Sequence, residues 1–95
     1  MKDTEKINTI RFYLEYFFKE CTIYDNQDKG RRAHSFRIEG RGNLRLLTVA
    51  GEFLDNLTVS EIKTYLKEFQ LSELLHKNAE SRVMLTSDGL KVERI

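Results

Sequence analysis

An α+β domain, with a largely antiparallel sheet and its helices on one face, is what this 95-residue chain predicts. Three observations carry the prediction. Two stretches repeat apolar residues at helical spacing; residues 33–50 read as two strands around a turn with glycines at 40 and 42; and Asp88-Gly89 separates two alternating runs near residue 95. The expected order is α-β-β-β-α-(α)-β-β, as a single domain over residues 1–95.

Ile7, Ile10, Leu14, Phe17, Phe18 and Cys21 recur every three or four residues, the stripe of an amphipathic helix expected at about 5–19. Thr4 is its expected N-cap, and Asp3 and Glu5 suit the positive end of the helix dipole. Tyr13 and Tyr16 lie off the stripe, which predicts hydroxyls that reach water.

Residues 21–25 follow as a short strand, and Asp25-Asn26-Gln27-Asp28-Lys29-Gly30 as a polar loop leading back to a strand at 34–39. There, Phe36 and Ile38 alternate with Ser35, Arg37 and Glu39, the period of a half-buried strand. Leu46, Leu47 and Val49 place apolar groups on both faces, so residues 44–50 are expected at the centre of the sheet.

Gly51 to Asn56 is expected to leave the sheet through a turn. Thr58-Val59-Ser60-Glu61 fits a capping box, with Leu57 and Ile62 placed as its hydrophobic staple. Val59, Ile62, Leu66 and Phe69 supply the stripe of a helix at 59–69; Gln70 interrupts it, and a second short helix or a continuation runs through 71–77, with Asn78 as a left-handed C-cap. The Asp88-Gly89 turn needs positive φ at both positions and sets Leu85 opposite Val92, with Val83 and Leu90 on the same face.

This order of elements is similar to that of type III secretion chaperones, with no residue motif in common, so the similarity carries no site residue over. The same C-terminal half also fits a helix-turn-helix with a wing. Its candidate recognition helix offers base edges little beyond His76, Lys77 and Asn78.

A chain of this length buries on the order of 60–70% of the surface its unfolded form exposes, enough for a core without staples. The single cysteine excludes an internal disulfide framework, and no Cys/His cluster points to structural zinc; no metal or cofactor is expected. The charged start leads into no apolar run, so a cytoplasmic setting without membrane contact is expected.

Net charge is +1, but it is unevenly spread. Residues 1–28 and 46–95 are each net −2, while residues 29–45 carry Lys29, Arg31, Arg32, Arg37, Arg41 and Arg45 against Glu39 alone, net +5. These six residues are the candidate partner-binding set, on the central hairpin and the loop entering it.

Catalytic signals are weak. Cys21 with His34 or His76 is the nearest nucleophile and base; but Cys21 fits the end of an apolar stripe, His34 fits a sheet-end histidine with a backbone partner, and His76 suits a helix C-terminus. Glu52 and Asp55 are the nearest carboxylate pair and sit where acidic side chains serve local capping. Gly40-Arg41-Gly42 lacks the spacing, the lysine and the following helix of a phosphate loop. The sequence therefore predicts a small non-enzymatic interaction domain with no evident small-molecule substrate. Its expected partner is a protein or a second copy of itself; the alternative is electrostatic nucleic-acid binding through the basic hairpin.

Overall fold

The computed structural model describes residues 4–28, 30, 32–40, 42–77, 80–86 and 88–94, without the side chains of Asp28 and Arg94. Helix α1 (Thr4–Phe17) precedes strands β1 (Thr22–Asp28), β2 (Ala33–Gly40) and β3 (Asn43–Ala50). Three helices follow, α2 (Gly51–Asn56), α3 (Val59–Glu68) and α4 (Leu71–Lys77), before strands β4 (Ser81–Thr86) and β5 (Gly89–Arg94). The spatial order of the strands is that of the chain, which puts β3 at the centre as expected. The sheet is antiparallel except between β3 and β4, which run parallel and are joined through the three helices.

Register explains the core. Phe36, Leu47 and Val83 lie in one cross-strand row, and Val49 and Leu85 in the next, all fully buried on the face the helices cover. Ile10 and Leu14 from α1, Phe53 and Leu54 from α2, Ile62 and Leu66 from α3, and Leu71 and Leu75 from α4 complete that core. Burying a leucine or phenylalanine of this kind contributes about 1.5–3 kcal/mol, so this one layer dominates stability.

The capping box forms as the sequence predicts: the Thr58 side chain accepts from the Glu61 amide at 3.1 Å, and the Thr58 amide donates to Glu61 Oε1 at 2.9 Å. Gln70 breaks the helix in a left-handed conformation (φ 51°).

Several expectations need correction. Residues 25–28 are not loop but the second half of β1, paired with residues 33–36, because a polar edge strand can satisfy its backbone on one side and water on the other. The segment after β3 is helix α2 rather than a turn. It buries Phe53 and Leu54, and its entry needs glycine: a Cβ on Gly51 would lie 2.6 Å from the Arg32 carbonyl that its amide meets at 2.7 Å.

The C-terminal hairpin slips by two residues from the expected register, setting Leu85 opposite Leu90 and Val83 opposite Val92. An even slip keeps every side chain on its expected face. Of the two positions expected to have positive φ, Gly89 has it (120°) and opens β5 instead of sitting in the loop, whereas Asp88 does not. Thr86 closes that loop, its hydroxyl donating to the Gly89 carbonyl and accepting from the Asp88 amide. Because β4 continues the main sheet beside β3, the hairpin is no detached wing, and the winged-helix packing does not hold. Thr4, expected as the N-cap, is itself helical and is the first described residue of α1; the residues before it, and the expected C-cap Asn78, lie outside the described residues.

Candidate interaction surfaces

With four helices on one face, the other face of the sheet is open. Two rows cross it: Tyr24, Arg37, Leu46, Arg82 and Glu93, and beside them Asn26, Ser35, Thr48, Met84 and Lys91. Tyr24 is 49% exposed, and the Arg37 guanidinium packs over its ring at 5.1 Å while pairing with Glu39. A shallow groove of about 290 Å³ runs between Tyr24, Ser35, Arg37 and Leu46. Near its far wall the Nε of Arg82 is buried with no hydrogen-bond partner among the described residues.

The structure separates the described members of the basic set. Arg37 stands on the open face. Arg32 precedes β2, at the other end of the strand from the Gly40–Asn43 turn. Arg45 shares the covered face with Leu47 and Val49 and is 9% exposed, its Nε donating to the Leu75 carbonyl at 2.8 Å. It thereby serves the negative end of α4, where cations are favoured. Lys29, Arg31 and Arg41 lie outside the described residues.

The helical side carries a second surface. Phe12 and Tyr16, one helical turn apart on α1, are 65% and 66% exposed, and Phe17 is 43% exposed. The Tyr16 and Phe17 rings meet edge-on at 5.0 Å, and Lys19 Nζ sits 5.1 Å over Tyr16. Between this aromatic ridge and α3 run two grooves of about 730 and 430 Å³ that share Lys63; the first is lined by Phe12 and Val59, the second by Tyr13, Tyr16, Phe17 and Lys67. Phe17, expected in the buried stripe of α1, is therefore turned outward beside Tyr16; the Phe12/Tyr16 spacing is the signal that finds the ridge.

Tyr13, expected to reach water, instead bridges two helices: its hydroxyl accepts from the Ser72 amide at 3.0 Å and meets the Leu66 carbonyl at 3.4 Å.

The catalytic candidates do not assemble. His34 is bonded to the Asp25 carboxylate at 2.9 Å, where a backbone partner was expected, and Asp25 also pairs with Arg11 of α1. Desolvation by burial, and secondarily the Arg11 charge, hold the His34 pKa below 6.5. Cys21 is half-buried against the core, and among the described residues no hydrogen bond joins it to either histidine. His76 ends α4 and stacks on Phe18 at 4.4 Å. Glu52 and Asp55 are both exposed on α2, and no cluster of three or more His, Cys, Asp or Glu able to hold a metal occurs among the described residues. No described helix is long and apolar enough to cross a membrane. Comparison with family models, characterised proteins and solved structures finds no match to this chain.

Proposed function

We propose that the chain is a small, non-enzymatic, cytoplasmic interaction domain that grips a protein partner through the aromatic ridge of α1. The observation supporting this reading is the exposure of Phe12, Tyr16 and Phe17 together beside two grooves, while the same helix buries Ile10 and Leu14 completely. Clustered exposed aromatic residues are costly to leave in water and are enriched at protein interfaces. The partner is either another protein or a second copy of this chain, offering apolar side chains to the ridge.

A photo-reactive phenylalanine analogue at position 16 tests the reading. It is expected to cross-link a protein in lysate, or a second copy in the purified protein, with Phe12→Ser abolishing the adduct. The same probe at position 93, on the far strand, is expected to yield none. Equal yields at both positions, or adducts indifferent to Phe12→Ser, would overturn it.

Nucleic-acid binding has its support in Arg37 beside the exposed Tyr24 on the open sheet face. It predicts oligonucleotide affinity whose logarithm falls linearly with log salt and is lost in Arg37→Ala. The pairing of Arg37 with Glu39 within the chain weakens that support.

A further inference from the structure

A further opening in the packed layer lies where the end of α1, the end of α4 and the β2–β3 turn converge. A cavity of about 630 Å³ opens there, lined by Tyr16, Phe17, Phe18, Cys21, Asn43 and Arg45, with Lys19, Glu20 and His76 also on its wall. Its size falls within the range of small-molecule sites, roughly 300–1,000 Å³.

Arg45 gives the cavity its chemistry. The side chain is nine-tenths buried, and the ion pairs recorded among the described residues, Arg11 with Glu15 and Asp25, His34 with Asp25, and Arg37 with Glu39, do not include it. Its orientation is set on two sides: Nε donates to the Leu75 carbonyl, and the guanidinium lies 5.6 Å from the centre of the Phe18 ring. His76 stacks on the same ring at 4.4 Å, which holds Phe18 in place. Among the described residues the recorded hydrogen bond of this buried cation is the one from Nε to a helix-end carbonyl, which leaves the terminal nitrogens of the fork as donors, and a guanidinium fork is matched by the two oxygens of a carboxylate. The aromatic walls supply the complementary apolar surface.

We propose that this cavity binds a small organic carboxylate with an aromatic body, the carboxylate on Arg45 and the ring among Tyr16, Phe17 and Phe18. At the wall the charge of Lys19 is set against that of the Glu20 carboxylate, and the buried Arg45 charge makes the site favour an anion over its neutral isostere. The inference stands on Arg45 and the cavity and needs no protein partner, although Tyr16 and Phe17 also belong to the ridge of α1.

Benzoate and its neutral isostere benzamide test it by amide-shift titration of the labelled protein. Benzoate is expected to shift the amides of residues 16–21, 43–45 and 75–77 saturably, with a dissociation constant on the order of 1 mM, as suits a ligand so small. Benzamide is expected to bind at least about tenfold more weakly, the loss of one charge-assisted contact. Arg45→Lys keeps the charge and removes the fork, and should bring benzoate down to the benzamide level. Should that variant fail to fold, Tyr16→Ala at an exposed wall residue is expected to weaken benzoate several-fold while leaving the spectrum otherwise intact. Equal affinity for the two probes, shifts scattered over the surface, or no saturation would overturn the proposal.

Discussion

The Tyr13 hydroxyl accepts a hydrogen bond from the Ser72 backbone amide at 3.0 Å, joining α1 to the first turn of α4. The amide is one of the donors that the start of a helix leaves without an internal partner, and Ser72 is buried, so water does not replace the bond. Tyr13→Phe is therefore expected to destabilise the fold by about 1–3 kcal/mol, the cost of a buried donor left unsatisfied. Urea unfolding with an unchanged m value checks it; an unchanged midpoint would mean the bond contributes nothing net.

At the other helix start, Thr58→Ala should cost about 0.5–2 kcal/mol by removing the acceptor for the Glu61 amide. Thr58→Ser keeps the oxygen and should hold the melting midpoint close to that of the parent chain.

Stability should depend on pH through His34. Its folded pKa lies below the ordinary 6.5, so the native state binds fewer protons than the unfolded chain. The contribution is complete above pH 6.5 and is lost as pH falls from there through the folded value. A series of denaturation midpoints between about pH 8 and 5 should decline across that window, and His34→Gln should flatten the decline. A parent curve that is already flat across the window would contradict the burial described for the ring.

Gly40 closes β2 against Cys21. A Cβ there would lie 2.7 Å from Sγ and 3.1 Å from the Cys21 Cα. Gly40→Ala is expected to cost about 1–3 kcal/mol, as overpacking does, and less in a Cys21→Ala background, which removes the Sγ contact at 2.7 Å and leaves those to Cα and Cβ. A double-mutant cycle with no coupling would place the strain elsewhere.

Arg82→Met removes a buried donor that lacks a partner while keeping the length of the side chain on the open face. Its expected effect is a stabilisation of about 1 kcal/mol, read as a raised melting temperature.

What was legible in the sequence is what local chemistry decides. Thr58 and Glu61 announce their helix because the partners stand three residues apart, and Leu46, Leu47 and Val49 announce a central strand because they put apolar groups on both faces. Helix α2 is illegible by the same standard: Gly51-Glu52-Phe53-Leu54-Asp55-Asn56 is too short to propagate on propensity, and it forms because Phe53 and Leu54 find the sheet. Tyr13 meets a partner 59 positions away, which no local pattern reveals. Charge density along the chain marks residues 29–45 but not their faces. Charge groups Arg45 with the other cations; its parity with Leu47 and Val49 is the signal for burial that this grouping does not use.

The parallel seam between β3 and β4 governs the order in which the sheet closes. The β1–β2–β3 meander joins neighbours through short turns and forms from local contacts, whereas β4 reaches β3 only after the segment from Gly51 to Glu80 has been folded back. Until then the middle strand of the finished molecule is a bare edge, its apolar Leu46, Leu47 and Val49 open to pairing with any extended chain. That interval is when the protein is most exposed to misassociation, and it ends when Ser81–Thr86 pairs with β3.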